Sequence, residues 1–165
     1  MLLTKDTNSR IINILTNKIS MSHKTNHLDE EQTVYDLNEI KKHSDYPVRV
    51  VCDAIKTVIK PMIEDPEKLA IVYWGVKEAI KDAEEHGSES DPRLIIVCKK
   101  LGEMTIDIID RPKEQSEHNG FGGQIRKAAF GEDYSATVED GLYREHLIVR
   151  CEDMSQESAK IKHAA

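Results

Sequence analysis

Two short apolar runs separated by only five residues limit the topology of this chain more than any other feature. Arg93–Cys98 and Met104–Ile109 have the length and β-branched content of strands. Between them lie Lys99, Lys100, Leu101, Gly102 and Glu103. A parallel connection needs a crossover of about a dozen residues or more, so this pair must be an antiparallel hairpin. The flanking segments extend the pattern. Thr33–Leu37 reads as a first strand. Pro47 suits the first turn of a helix, and Val48, Val51, Ala54, Ile55, Val58, Ile59 and Met62 follow at helical spacing, with Pro61 near the end. A second helix starts after Asp65 as N-cap and Pro66, carries Leu69, Val72, Val76, Ile80 and Ala83 as its apolar stripe, and stops at Gly87. Trp74 lies in mid-helix and is assigned to the core, with an interface anchor as the alternative. A polar loop from Asp110 to Asn119, a short helix over Gln124–Phe130 and two strands around Tyr134–Val138 and His146–Cys151 complete the order. Strands thus come in adjacent pairs without a helix between each, which excludes a doubly wound parallel sheet. The fold class expected is α/β: a two-layer sandwich of a mixed, mainly antiparallel sheet covered by helices.

Length and composition bound the organisation. The 165 residues, 39% hydrophobic but only 5% aromatic, suit one domain with a mainly aliphatic core. Residues 33–151 hold every periodic segment and form that domain. Residues 1–32 are polar apart from Arg10–Leu15 and read as a flexible or partly helical arm; residues 152–165 read as a polar tail. No apolar run approaches the roughly 20 residues of a membrane span, and MLLTKDTNSR is not a signal-peptide hydrophobic region. Cys52, Cys98 and Cys151 are far apart, in apolar settings and without a C-x-x-C spacing, which argues for reduced, buried thiols and against a zinc site. The expected location is therefore cytoplasmic, with no membrane partner. The net charge of −7 resides wholly in residues 45–165, because residues 1–44 balance. An acidic domain repels phosphate backbones, so a protein partner is favoured over direct contact with nucleic acid.

Two features carry candidate chemistry. Glu78, Asp82 and His86 recur every four residues on the second helix and share one stripe, with Gly75 preceding them on the same side. Further on, a strand ends at Asp110, and Gly120-Phe121-Gly122-Gly123 opens the short helix. Glycines at a helix start let backbone N–H groups approach a phosphate, which the helix dipole also favours. Lys113, Arg126 and Lys127 are near enough in sequence to add positive charge.

In this order the segments resemble the GHKL ATPases. Glu78–Gly87, EAIKDAEEHG, resembles the N-box helix, E-A-x-x-N-A-x-x-H-G. Ile108-Ile109-Asp110 resembles the strand entering the first glycine box, and Gly120–Ile125 is similar to the second. The resemblance covers about residues 45–151, and its compact size and short lid are most like the bacterial anti-sigma-factor serine/threonine kinases. It implies a Bergerat-like fold that binds ATP and Mg²⁺. Glu78 would be the catalytic base, Asp82 the Mg²⁺ ligand and Asp110 the reader of the adenine amino group. Gly120, Gly122, Gly123 and Lys113 would lie beside the phosphates. The implied partner is a sigma factor or an anti-anti-sigma-like protein, with a homodimer also implied. Asp82 stands where the family has asparagine, and Pro112 and Glu114 stand where its first glycine box has glycines. The alternative is therefore a catalytically inactive adaptor or dimerisation module on the same scaffold.

Overall fold

The computed structural model describes residues 31–112 and 121–151. The expected arm, apart from Glu31 and Gln32, and the tail from residue 152 lie outside the described residues, as do Lys113, Glu114 and Gly120. Strand β1 (Glu31–Asp36) passes directly into the short helix α1 (Leu37–Lys41). Asp36 makes the transition, its carboxylate accepting the Asn38 N–H at 2.9 Å. Helix α2 (Pro47–Ile59) and helix α3 (Pro66–His86) both place proline in the first turn, where no N–H is needed. The Asp65 carboxylate caps α3 by accepting the Glu67 N–H at 2.9 Å. Strands β2 (Leu94–Lys100) and β3 (Glu103–Asp110) follow, then helix α4 (Phe121–Phe130), a 3₁₀ turn at Gly131–Asp133, and strands β4 (Tyr134–Glu139) and β5 (Leu142–Arg150).

The five strands form one sheet in the order β1-β2-β3-β5-β4. Each neighbouring pair is antiparallel, so the described sheet contains no parallel component. The two-layer α/β sandwich stands. The last strand starts at Leu142, four residues before the expected His146. Asp140 and Gly141 explain the difference. Both have positive φ, 52° and 74°, and close a two-residue hairpin between Glu139 and Leu142.

One face of the sheet carries the core. Ile95, Val97, Met104, Ile106, Ile108, Leu147 and Val149 are buried there against Val51, Ile55 and Ile59 of α2 and Val76, Ala79, Ile80 and Ala83 of α3. Trp74 is not in this core: it is 56% exposed. It lies two residues from buried Val72, about 200° around the helix, and so faces outward. Gly75 also departs from the expected polar stripe. It is buried where α3 meets α4, and a Cβ there would approach Phe130 Cε2 to 2.8 Å. Of the cysteines, only Cys52 is fully buried, and burial pushes its thiol up to about 12. Among the described residues no helix is long and apolar enough to cross a membrane.

Candidate functional site

Three local devices bring the end of α3 over the end of β3. Close approach at Gly75 sets α3 against α4. Beyond α3, Gly87 forms a bridge to Pro112, and the Ser88 N–H donates to the Arg111 carbonyl at 2.7 Å. Arg93, only 1% exposed, donates from Nη1 to the Glu84 carbonyl at 2.6 Å and from Nε to Asn38 Oδ1 at 2.7 Å. A buried guanidinium thus satisfies a carbonyl in the last turn of α3, where the helix dipole favours positive charge. Pro112, lacking an N–H, serves as the end of this connection.

Asp82 and Ala83 of α3 consequently face Asp110 of β3 and Tyr143 and Glu145 of β5. The register accounts for the grouping: Asp110 pairs with Tyr143, and both belong to the helix-facing side of the sheet. Helix α4 supplies the counter-charge. Arg126 donates from Nη1 to Asp82 Oδ2 at 2.6 Å and from Nη2 to Glu145 Oε1 at 2.8 Å. Its guanidinium carbon also lies 5.9 Å from the centre of the Tyr134 ring. The Tyr143 hydroxyl donates to Glu145 Oε1 at 2.8 Å. Gly122 permits the arrangement, because a Cβ there would come within 2.8 Å of Asp82 Oδ2 and 2.9 Å of Arg126 Nη1.

The electrostatics follow from burial. Burial pushes the Asp110 carboxyl up to about 6, against the pull of Arg93 and His86. Burial likewise raises Glu145 to about 7, with Asp82 and Asp110 adding to the rise and Arg126 and Tyr143 opposing it. Burial opposes the charge on Arg126, but Glu145, Tyr134 and Asp82 outweigh it and raise its pKa. Burial and Glu145 together raise Tyr143 well above the usual phenol range. The cluster therefore holds one firmly charged guanidinium near two carboxyls, Asp110 and Glu145, that ionise reluctantly.

Among the expected site residues, the structure brings Asp82, Asp110 and Gly122 together. Glu78 lies one turn before Asp82, half-buried, and is not part of the cavity wall. Gly123 follows Gly122 in the first turn of α4. Lys113 and Gly120 lie outside the described residues. Tyr143 and Glu145 were not anticipated as members, and Arg126 was anticipated in another role. Arg126 was expected to offer free positive charge; instead it is 1% exposed and its charge is taken up by carboxylates. A signal for it exists in the sequence: it stands four residues before Phe130, on the buried side of α4. Glu145 likewise interrupts the alternation of Tyr143, Leu147 and Val149, all inward-facing.

These residues can be tested against a nucleotide and Mg²⁺. The cavity lined by Ala79, Asp82, Ala83, Ile108, Asp110, Tyr143 and Glu145 has a volume of about 10 Å³, room for about one water molecule. Small-molecule sites usually occupy some 300–1,000 Å³. One carboxylate oxygen of Asp82, the residue expected to meet a metal, is bonded to Arg126. No group of three His, Cys, Asp or Glu side chains able to hold a metal occurs among the described residues. In this conformation the described residues do not fit a metal-bound triphosphate. No protein-family model matches the chain, and no curated protein matches it.

Proposed function

We propose that this chain is a non-catalytic, protein-binding adaptor on a GHKL-like scaffold, acting in the manner of an anti-sigma factor. The observation that carries the reading is the Arg126 bridge. It spans Asp82 and Glu145 where the resemblance implies Mg²⁺ and phosphate. Freeing Asp82 for Mg²⁺ would break its bond to Arg126, and moving that guanidinium out of the pocket would also strip it from Glu145, which is 1% exposed. A buried carboxylate stripped of its partner is strongly unfavourable, so the closed state is favoured. An Mg²⁺-ATP-dependent serine/threonine kinase with Glu78 as base is the competing reading, supported by Asp110 and the glycines at the start of α4.

Protein docking has its own support. Ile71 and Trp74 are 52% and 56% exposed on the outer side of α3, one turn apart. Tryptophan is enriched among the residues that carry protein–protein binding energy, and Ile71 widens the apolar surface beside it. The partner class proposed is a sigma factor or an anti-anti-sigma-like protein, in the cytoplasm. Calorimetry and thermal melting with millimolar Mg²⁺-ATP test the reading. The expected result is no binding heat and no shift in Tm. Hydrolysis or phosphotransfer that disappears in Glu78→Ala would refute the adaptor reading, and phosphotransfer to a serine or threonine would establish the kinase.

A further inference from the structure

Strand β5 lies between β3 and β4, and one row of the sheet crosses all three. Asp107 of β3 pairs with His146 of β5, and His146 pairs with Ser135 of β4. Side chains alternate along a strand. Ile106, Ile108 and Leu147 point into the helix-covered core, so Asp107, His146 and Ser135 share the opposite face. We propose that Ser135 is a nucleophile activated by His146 and Asp107, and that it takes an acyl group from a thioester or an aryl ester. This goes beyond the adaptor reading and does not depend on the state of the pocket, which lies across the sheet. One acylation per chain modifies an adaptor without making it an enzyme.

The row has the order and polarity of a nucleophile, a base and a carboxylate that orients the base. His146 Nδ1 lies 3.0 Å from Asp107 Oδ1. An ionised carboxylate only accepts, so Nδ1 carries the proton and the neutral ring keeps its lone pair on Nε2. With Nδ1 turned toward β3, Nε2 is turned toward β4, where Ser135 is the directly opposed residue. Directly opposed residues have Cβ atoms about 5 Å apart, within reach of a hydroxyl on one and an imidazole on the other. The hydroxyl is not bonded to the ring in this conformation, and rotation about its one side-chain torsion closes the gap; such contacts are often loose before a substrate arrives. Asp107 is 18% exposed and is held from β5 by Arg144 as well, whose Nε lies 3.3 Å from the same oxygen. Ser135 itself is exposed.

The edge position of β4 in the described sheet adds a further element. Successive N–H groups along a strand point to alternate sides, so one of the Ser135 and Ala136 N–H groups points away from β5. It stands beside the nucleophile as a donor to a developing oxyanion. In the step proposed, Ser135 Oγ adds to the acyl carbonyl and its proton passes to His146 Nε2. The tetrahedral oxyanion collapses, the bond from carbon to the leaving sulfur or oxygen breaks, and His146 returns the proton to the departing thiolate or phenolate. One ester forms on Ser135 and one thiol or phenol leaves. The face is open to solvent, so the donor needs a weakly basic leaving group, which selects thioesters and aryl esters over amides.

The experiment treats the full chain with 4-nitrophenyl acetate, stops the reaction with acid at timed points and locates acetyl groups by peptide mass mapping. Ser90 is an internal reference, exposed and bonded only to Ser88 and Asp91 among the described side chains. Ser135 should be acetylated at least about tenfold faster than Ser90, and the advantage should vanish in urea. His146→Gln should remove most of it, since a positioned general base is usually worth about a hundredfold or more. Asp107 acts through His146 as a positioning residue. Asp107→Asn should therefore slow acetylation and also shift the His146 ring away from the Nδ1–H tautomer in ¹⁵N NMR. Circular dichroism and Tm should match the parent, because His146 is 36% exposed and the substitutions lie outside the core. Acetylation of Ser135 no faster than that of Ser90 overturns the proposal, a comparison that needs no variant. So does a rate that survives in urea or in folded His146→Gln, either of which would leave Asp107 and His146 as an ion pair alone.

Discussion

Replacing Asp110 with asparagine should stabilise this protein, by an amount that grows with pH. Asp110 is 2% exposed, and burial raises its carboxyl from 3.8 to about 6. A carboxyl with a raised folded-state pKa binds more protons in the folded chain than in the unfolded one. Stability therefore falls as pH rises between about 4 and 6, and the penalty is complete above that window. A rise of about two units corresponds to about 3 kcal/mol. Asparagine has nearly the shape of the protonated acid and never ionises. At pH 8, Asp110→Asn should thus gain up to about 3 kcal/mol, or roughly 10 °C in Tm for a domain of this size. Near pH 4 the folded parent already holds Asp110 neutral, so the two proteins should differ little. Urea titration and thermal melting at both pH values measure the difference. An Asp110→Asn gain no larger at pH 8 than at pH 4 would refute the reasoning, because the burial of charge would then not be what the position costs.

The Arg126 bridge gives two further outcomes. Arg126→Met leaves Glu145 buried without its cation and should lose about 3–5 kcal/mol in urea unfolding at pH 8, whereas Arg126→Met with Glu145→Met should lose clearly less than the single variant. Additive losses would mean that the bridge is not a coupled unit. Gly122→Ala inserts a methyl 2.8 Å from Asp82 Oδ2 and 2.9 Å from Arg126 Nη1, and should destabilise by about 1–2 kcal/mol. In the Arg126→Met background the guanidinium is gone and Asp82, no longer held by it, can turn away, so the same change should cost clearly less in a thermal melt, helped by alanine's better helix propensity.

Much of the architecture is written locally. The five residues between β2 and β3 require a hairpin, and Asp65-Pro66 starts α3 where the structure starts it. The Asp140-Gly141 turn carries a local signal too, since positive φ at both positions suits those residues, but the expected strands left it unassigned. Period-2 and helical spacing also located most of the core, because burial of a strand face or a helix stripe is a local pattern. Trp74 marks the limit: its residue type argued for the core, but its angle around α3 put it outside. The candidate site shows the limit more sharply. Sequence order aligned Asp82, Asp110 and Gly122 in the pattern of a nucleotide pocket. Only the folded chain brought Arg126 of α4 across to Asp82 of α3 and Glu145 of β5, leaving a cavity of about 10 Å³. The sequence by itself determined most of the elements, the β2–β3 hairpin and which carboxylates lie near the end of α3, but not the short helix α1 or the tight turn between β4 and β5. The tertiary structure decided whether those carboxylates face a ligand or a guanidinium, because ion pairing between distant segments depends on distances that no local periodicity encodes.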